Sequence, residues 1–209
     1  MIRGTVSAGT HALQWLFFVL VMTATGHIER AAAAEPVTDV LVERSRSVAP
    51  DRDADPVLNN LERRTFRYFW NTANKQNGMV PDRYPSPSFA SIAAVGFGLT
   101  AYVVGAERGY ISRGQARLRV LRTLRFLDTL PQGPDETGMA GYKGFYYHFL
   151  HMQNGQRFGT SELSTVDTAL LLGGVLLCQS YFDRDTRAER EIRELAERIY
   201  LYGDRKSVV

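Results

Sequence analysis

The sequence predicts an all-α fold in which two concentric layers of helices form an α/α toroid. Five helical segments carry this prediction, because amphipathic segments alternate along the chain with segments that are apolar on nearly every face. An amphipathic helix covers a core with one face, whereas a helix that is apolar all round must be enclosed by others. We therefore expect an inner ring of apolar helices and an outer ring of amphipathic ones. A plain helical bundle is the alternative, and it explains the alternation less well.

The five segments begin where a charged, proline-containing stretch ends. In chain order they cover 56–74, 88–107, 112–130, 165–182 and a last stretch from residue 185. The first, third and fifth segments are amphipathic, and the second and fourth are apolar nearly all round. Ser112, followed by Gln115, has the pattern of a capping box and is expected to start the third helix.

Two pairs of glycines lie inside the apolar segments: Gly96 with Gly98, and Gly173 with Gly174. A glycine inside a helix costs up to about 1 kcal/mol relative to alanine. We therefore expect these glycines to allow neighbouring inner helices to approach closely. Helix kinks are the alternative explanation.

Two loops between the helices carry polar and aromatic side chains. The first, at 77–88, is rich in proline and contains Asp82, Arg83 and Tyr84. The second, at 131–158, is longer than most connections, and such long loops in compact domains are usually functional.

The second half of the longer loop has the pattern of a strand followed by a turn. Residues 145–150 alternate, and Asn154-Gly155 is a favourable hairpin dipeptide. We expect a small β-hairpin insertion beside the mouth of the toroid, carrying Tyr146, Tyr147 and His148.

Carboxylates and aromatic rings at such a mouth are suited to saccharide chemistry. Glycoside hydrolysis uses one carboxylic acid to protonate the leaving oxygen and one carboxylate to activate water, while flat side chains contact the sugar. Glu162 and Asp167 are the candidate catalytic residues. The candidate substrate-binding residues are Asp82, Arg83, Tyr84, Tyr146, Tyr147 and His148.

The two candidate acids differ in how well a structural role explains them. Asp167 lies three residues after Ser164, so a role in capping the fourth helix explains it about as well as a catalytic role. Glu162 precedes that cap and has no such structural role, although a solvated loop acid is an alternative. A single histidine, His148, does not indicate a metal site, and we expect no metal and no cofactor.

The N-terminus has the order of a secretory signal peptide at 1–34. Arg3 precedes an apolar run from Leu13 to Met22, and four alanines precede Glu35. Residues 35–55 are expected to form a disordered linker. We therefore expect a periplasmic or secreted protein that has no membrane segment after cleavage; an uncleaved signal anchor is the alternative.

Composition limits the other classes of function. The chain has 209 residues, of which 44% are hydrophobic and 22% charged, as in a globular domain. A net charge of +3 says little about partners, and the arginines of the third helix are expected to form a solvated face, so we expect no nucleic acid partner. Cys178 is the only cysteine and is expected to be buried, without a disulfide within the chain.

Five blocks of the sequence resemble the glucoamylase-like family, which includes bacterial endo-β-1,2-glucanases and the related domain of cyclic β-1,2-glucan synthases. The resemblance runs from about residue 61 to residue 200 and is carried by "RRTFRYFW", "NGMVPDRYPSPSFASIAAVGFGLTAY", "ERGYISRGQA", "GFYYHFLHMQNGQR" and "SELSTVDTALLLGGVL".

The resemblance implies an (α/α)6 toroid and glycoside hydrolysis without metal or organic cofactor. It implies that Glu162 and Asp167 are cleft residues, with weaker support for Asp82, Arg83 and His148. The chain departs from the family pattern at His151, where an acidic residue is usual, and at Phe158-Gly159, where a tryptophan is usual. Both departures lie on the expected hairpin, where they bear on substrate specificity.

The family also extends further than this chain. Residues 56–203 are therefore expected to be the N-terminal part of an incomplete toroid, and residues 204–209, which match one frame of a sequencing adapter, a non-native tail. We expect an inactive fragment of an exported hydrolase that acts on an oligo- or polysaccharide, namely β-1,2-glucan, and that is monomeric at full length. A noncatalytic glucan-binding toroid is the alternative.

Overall fold

Five α-helices and five short strands make up the described part of this computed structural model, residues 55–85 and 88–206. The helices are α1 (Pro56–Thr72), α2 (Ile92–Glu107), α3 (Arg113–Thr129), α4 (Thr165–Tyr181) and α5 (Arg187–Lys206). The strands are β1 (Ala90–Ser91), β2 (Gly141–Tyr142), β3 (Phe145–Tyr147), β4 (Phe149–Leu150) and β5 (Leu163–Ser164). All five predicted helices are present.

The predicted signal peptide at 1–34 lies outside the described residues, as does the predicted linker up to residue 54. The first described residue, Asp55, is the N-cap of α1, and its Oδ1 accepts a hydrogen bond of 2.8 Å from the backbone of Val57. At the other end, α5 continues to Lys206 and so includes three residues of the predicted tail. No helix within the described ranges is long and apolar enough to cross a membrane.

Serine side chains start three of the helices. The capping box predicted for α3 is confirmed: Ser112 Oγ accepts from Gln115 N at 3.2 Å, and Gln115 Oε1 accepts from Ser112 N at 2.8 Å. Ser91 caps α2 and Ser164 caps α4. Both of these serines end a two-residue strand, so each apolar helix begins directly at a sheet.

The two apolar helices pack against each other along a glycine contact. A Cβ added to Gly96 would collide with the backbone of residues 170–171, and a Cβ added to Gly174 would collide with the backbone of Gly96. The predicted close approach is therefore confirmed for these two glycines. Gly98 instead faces the side chain of Val80, and the space beside Gly173 is open.

The two apolar helices differ in how completely they are enclosed. Most residues of α2 are buried, as predicted for an inner helix. On α4 only one face is buried, which includes Leu171 and Val175. The opposite face exposes a stripe of Val166, Ala169, Gly173 and Leu177, which we call the α4 stripe. In the described part of the chain α4 is therefore enclosed on one face only.

The amphipathic helices cover the core from outside the α2–α4 pair. The buried face of α1 consists of Phe66 and Phe69, and α3 and α5 pack on each other. The largest fully buried side chains include Tyr102, Met79, Ile92, Leu99, Leu171, Phe182 and Ile192.

The arginines of α3 do not form the solvated face that the sequence predicts. Arg119 is buried, and its guanidinium lies 4.3 Å above the centroid of the Trp70 ring. Arg125 is exposed but pairs with Glu191 of α5 through two hydrogen bonds. These arginines join α3 to its neighbours, because their aliphatic stems and planar head groups pack as well as carry charge.

Arg113 lies at the centre of a buried ion pair between α3 and α5. Its Nη2 is 2.8 Å from Glu189 Oε2 and its Nε is 3.1 Å from Oε1, so the pair is bidentate. The Glu189 side chain has no exposed surface, and it also accepts from the backbone of Arg184 at 3.0 Å. These hydrogen bonds hold the pKa of Glu189 below its usual value, with the bond from Arg113 as the largest cause.

Residues 131–164, which form the long loop and its continuation, supply β2 to β5 of two small sheets, and β1 comes from the residues before α2. The first sheet has the order β2-β3-β5 and the second pairs β1 with β4; both are antiparallel. The tight hairpin joins β2 to β3 through Lys143-Gly144, where both φ angles are positive. Two central residues with positive φ are typical of a type I′ turn, which matches the twist of a hairpin.

The predicted hairpin around Asn154-Gly155 is therefore wrong in its details. The segment from Phe145 to Leu150 does not form one strand but divides at His148 into β3 and β4, which belong to different sheets. Across the Asn154-Gly155 turn a single bridge joins Leu150 to Arg157. The division occurs because β3 pairs with the strand before α4, while β4 pairs with the strand before α2.

Candidate functional site

His148 lies at the junction of the two sheets. Its backbone N–H donates to the carbonyl of Glu162 at 2.9 Å, and its own carbonyl accepts from Ile92 N, the first residue of α2, at 3.2 Å. Glu162 directly precedes β5 and α4. The main chain therefore fixes His148 beside the N-terminal ends of both apolar helices.

The His148 side chain lies between the two predicted catalytic carboxylates. Its Nδ1 is 2.8 Å from Glu162 Oε1, and its Nε2 is 3.5 Å from Asp167 Oδ2. The exposed fractions of the side chains are 69% for Glu162, 31% for His148 and 15% for Asp167. The structure thus brings together three residues that the sequence singled out separately; we call them the carboxylate–histidine cluster.

Asp167 takes only part of the capping role that its sequence position allows. Its backbone N–H donates to Ser164 Oγ at 3.2 Å, so Ser164 is the N-cap, as the sequence predicts. The Asp167 carboxylate instead points to His148. The side chain of Asp167 is therefore part of the cluster, and only its backbone belongs to the cap.

Thr168 connects this cap to the neighbouring sheet. Its hydroxyl donates to the Ser164 carbonyl at 2.6 Å and accepts from the backbone of Tyr146 at 2.9 Å. The start of α4 is thereby tied to β3, the strand that leads into His148. The sequence did not single out Thr168, because its role depends on the pairing of distant strands.

The electrostatic environment of Glu162 favours its ionised form. A hydrogen bond from its own backbone N–H and a second from the His148 side chain lower the pKa of Glu162. Its carboxylate is therefore charged at neutral pH. An imidazolium donates from both ring nitrogens, whereas a neutral imidazole donates from only one. Nδ1 of His148 lies within hydrogen-bond distance of Glu162, whereas Nε2 approaches Asp167 only to 3.5 Å.

Aromatic rings extend from the cluster to a neighbouring cavity. The His148 ring stacks on Phe149 with centroids 3.7 Å apart, Phe149 lies 4.2 Å from Phe89, and Phe89 lies 4.7 Å from Phe158. A cavity of about 510 Å³ lies beside these rings and is lined by Arg83, Ser88, Phe89, His151, Met152, Gln153 and Phe158. We call this the aromatic cavity.

The other predicted binding residues are not all near the cluster. Asp82 and Arg83 form an ion pair of 3.0 Å, and Arg83 lines the aromatic cavity. Tyr84 is exposed. Tyr147 is half-buried, and the Arg157 guanidinium lies 4.4 Å above the centroid of its ring. Arg83 and Tyr84 can therefore contact a ligand in the cavities beside the sheets rather than at the cluster itself.

The prediction that Tyr146 binds the substrate is wrong. The side chain is only 5% exposed and belongs to the hydrophobic core, so it presents no surface to a ligand. Because successive side chains of a strand point to opposite faces, Tyr146 faces inward while Tyr147 faces outward. Burial raises the pKa of Tyr146, as expected for a phenol in the core.

Residues missed by the sequence interpretation line the aromatic cavity and position the cluster. Met152 and Gln153 line the cavity. Phe149 stacks on His148, and Arg157 Nε donates to the carbonyl of Ser161 at 2.7 Å. Phe149 could have been found from its position next to His148. Within the described ranges no group of three or more His, Cys, Asp or Glu side chains could hold a metal ion.

No known protein-family profile matches the chain. A curated relative, the exo β-1,2-glucooligosaccharide sophorohydrolase (non-reducing end) of Parabacteroides distasonis, is 26% identical over 152 residues, which is 70% of this chain and 20% of that protein. The crystal structure of a β-1,2-glucanase from the same species has a TM-score of 0.63 and 25% identity, and the match covers 70% of this chain and 21% of that one.

Two further solved structures agree with these relatives. The endo-β-1,2-glucanase of Chitinophaga pinensis, in complex with sophorotriose and glucose, has a TM-score of 0.60 and 26% identity, over 70% of this chain and 36% of that chain. A proposed glucoamylase of Bacteroides uniformis has a TM-score of 0.62 and 28% identity, over 70% and 35% respectively. This chain therefore spans between a fifth and about a third of the proteins it matches.

The homologues of this chain are glycoside hydrolases. More particularly, they are glucoamylase-like proteins that include hydrolases of β-1,2-glucan. The family resemblance noted in the sequence is confirmed.

Proposed function

We propose that the chain is part of an exported glycoside hydrolase that cleaves β-glucan, with β-1,2-glucan as its substrate. The observation that carries this proposal is the carboxylate–histidine cluster, in which Glu162 and Asp167 lie on either side of His148. Names of the relatives support the linkage, since those proteins act on β-1,2-glucan or its oligosaccharides. Export rests on the sequence of residues 1–34 alone.

The proposal includes an (α/α)6 toroid for the complete domain. Support comes from the order of the helices: α2 and α4 pack on each other, and α1, α3 and α5 cover them from outside. Both apolar helices begin at the sheets that carry His148. In a toroid this end of the inner ring would form the mouth of the cleft.

Within the cluster the three side chains take different proposed roles. Glu162 is exposed and its pKa is lowered, so it is suited to act as an ionised carboxylate rather than as the general acid. His148 orients Glu162 through the 2.8 Å contact and is a positioning residue. Asp167 is less exposed and holds the other side of the imidazole. A carboxylic acid that protonates the leaving oxygen is also required.

The aromatic cavity supplies the proposed contact surface for the sugar. Phe89 and Phe158 form part of its wall, and flat apolar side chains with a few polar groups are typical of small-molecule sites. His151 and Arg83 add polar groups at the same wall. A noncatalytic glucan-binding protein is a second candidate, because this wall could bind a sugar without the carboxylates.

The test uses the protein expressed from its source gene and assayed on linear β-1,2-glucan. Loss of an acid or base typically lowers kcat by about 10² to 10⁴, and we expect a loss of this size for Glu162→Gln. Asp167→Asn should lower kcat as well, because Asp167 holds the imidazole that orients Glu162. Glu136→Gln is the matched control, because Glu136 is an exposed turn acid outside the cluster. Full hydrolysis by both cluster variants would contradict the assigned sites, and glucan binding without any hydrolysis would favour the noncatalytic alternative.

A further inference from the structure

A second cavity is also lined by Arg83, and none of the residues of the carboxylate–histidine cluster lines it. It has a volume of about 810 Å³ and lies between α1, the loop around Pro81 and residues 152–153. Cavities of about 300 to 1,000 Å³ are typical of small-molecule sites. Arg83, Ser88, Met152 and Gln153 line both this cavity and the aromatic cavity, so the two are adjacent. We call the larger one the arginine cavity.

Hydrogen bonds between distant segments hold the walls of the arginine cavity. Tyr68 of α1 donates its hydroxyl to the Pro81 carbonyl at 2.7 Å. Asn74 donates to the carbonyl of Met152 at 3.1 Å, and Asn77 donates to the carbonyls of Met152 and Gln153 at 2.9 and 3.0 Å. The three walls are therefore fixed to one another before any ligand binds, and a preorganised site binds at lower entropic cost.

The charged side chains that line this cavity are all positive. Three arginines line it, Arg64, Arg67 and Arg83, and its described lining contains no carboxylate side chain. Asp82 neutralises Arg83 through their ion pair. Among the described residues, no Asp or Glu oxygen lies within 4.0 Å of Arg64 or Arg67. Within the described part of the chain, the two exposed guanidinium groups of Arg64 and Arg67 therefore lie at one cavity without an ion-pair partner.

The positions of these side chains along α1 bring them to the same wall. Arg64, Arg67 and Asn71 are spaced by three and four residues, so they share one face of the helix. The Tyr68 ring lies on that wall as well, and burial, together with the nearby Asp82, raises the pKa of Tyr68 to about 12. The phenol therefore remains neutral and does not offset the arginine charge.

The remaining lining is suited to a polyhydroxylated ligand. Among the described residues the Asn71 and Gln153 side-chain amides make no hydrogen bond, and each offers both donors and an acceptor. The rings of Tyr68 and Tyr84 add flat surfaces. Guanidinium groups bind carboxylate and phosphate oxygens through paired hydrogen bonds.

We propose that the arginine cavity binds a saccharide bearing an acidic group, with Arg64 and Arg67 holding the carboxylate or phosphate and the amides of Asn71 and Gln153 contacting the hydroxyls. This binding site is independent of the proposed hydrolysis. It requires no turnover, and it leaves the carboxylate–histidine cluster unused. A binding measurement alone is therefore sufficient to test the proposed site.

Isothermal titration calorimetry of the chain with four probes tests the proposal: glucose 6-phosphate, glucuronate, glucose and inorganic phosphate. We expect glucose 6-phosphate and glucuronate to bind more tightly than glucose. The ratio of the Kd values of these two acidic sugars identifies whether the site prefers a phosphate or a carboxylate. Hydrogen bonds to charged groups are strong enough that Arg64→Gln with Arg67→Gln should raise the Kd at least about tenfold.

Arg63→Gln with Arg184→Gln is the matched control. It removes the same two positive charges outside the cavity, since Arg63 lies 5.1 Å from the centroid of the Tyr110 ring and neither arginine lines the cavity. The control should leave the Kd of the acidic sugars unchanged, and thermal unfolding should show that both double variants are folded. Equal weakening by both double variants, or equal binding of glucose and the acidic sugars, would overturn the proposal. Inorganic phosphate binding as tightly as glucose 6-phosphate would overturn its saccharide part.

Discussion

Glu189 shows how a single buried carboxylate can join two helices. Its side chain is fully buried, and Arg113 supplies two hydrogen bonds, while Arg117 lies 3.8 Å away. A buried carboxylate remains charged only where such partners replace its hydration. The pair therefore makes packing of α5 on α3 dependent on the charge of Glu189.

Replacing Glu189 by glutamine tests this dependence. Removing one partner of a buried ion pair costs on the order of 3 kcal/mol, so we expect Glu189→Gln to lower the free energy of unfolding by about that amount at pH 7. Urea unfolding followed by circular dichroism measures the change. Glu197→Gln on the same helix is the control, because Glu197 is exposed.

The lowered pKa of Glu189 also predicts how the stability of the fold depends on pH. The folded pKa of Glu189 lies below its usual value, so its stabilising contribution is complete above the unfolded pKa of 4.5 and is lost as pH falls through the folded value. The difference in unfolding temperature between the native chain and Glu189→Gln should therefore shrink as the pH is lowered below about 4.5. A difference that stays constant from pH 7 to pH 3 would contradict the buried charge.

The contact between His148 and Glu162 predicts that a substitution of His148 changes the pKa of Glu162. Replacing His148 by phenylalanine keeps a flat ring on Phe149 but removes the hydrogen bond to Glu162. We expect the pKa of Glu162 to rise towards its usual value without reaching it, since the bond from its own backbone remains. Carbon-13 NMR titration of the glutamate side chains reports the shift, with Glu136 as an internal reference. An unchanged pKa for Glu162 would show that the imidazole does not stabilise the carboxylate.

At the scale of single residues, the sequence predicted the members of the cluster but not their contacts. Glu162, Asp167 and His148 were each singled out by residue type and position. Their meeting depends on the pairing of β3 with β5, which local patterns do not encode. The alternation in "FYYHFL" is consistent with an inward-facing Tyr146. The prediction that Tyr146 contacts the substrate therefore disagrees with this pattern.

At the scale of elements, the helices were predictable because their signals are local. Ser112 with Gln115 marks the start of α3, and the apolar runs mark α2 and α4. The strands are only two or three residues long and follow from long-range pairing. The Lys143-Gly144 turn lacks the Asn-Gly or Asp-Gly pattern that signals a type I′ turn, so this hairpin was missed.

The adjacent glycines of α4 provide a matched pair for testing helix packing. Alanine at position 174 would meet the backbone of Gly96, whereas alanine at position 173 would meet open space. We expect Gly174→Ala to destabilise the fold by about 1 to 3 kcal/mol through overpacking. Gly173→Ala should instead stabilise it by up to about 1 kcal/mol, since alanine is the better helix former. Denaturant unfolding of the two variants measures both effects, and equal values would contradict the α2–α4 contact.

At the scale of the whole molecule, the α4 stripe is the main departure from a closed core. Val166 is 68% exposed and Leu177 is 38% exposed, and both lie on the same face of α4 as Ala169 and Gly173. Contiguous apolar surface of this kind promotes association, since about 25 cal/mol is gained for each Å² removed from water. The amphipathic helices pack on the core, as their pattern predicts, but the pattern of an apolar helix does not indicate which of its faces is left uncovered.

The stripe predicts that the 209-residue chain self-associates. Val166→Glu should shift the chain towards the monomer in sedimentation velocity measured over a concentration series. Leu118→Glu is the control, because Leu118 is 62% exposed on α3, away from the stripe. An equal effect of the two substitutions would indicate general electrostatic repulsion rather than contact through α4.

The contact between Gly96 and Gly174 also limits how the chain can adapt to substitutions. The atoms that would block a Cβ at either position belong to the main chain of the facing helix, and every amino acid carries those atoms. No replacement at position 170 or at position 96 can therefore make room for a larger residue opposite. A screen for second-site suppressors of Gly174→Ala should recover no compensating change at the contact, only changes that let the two helices move apart as rigid bodies.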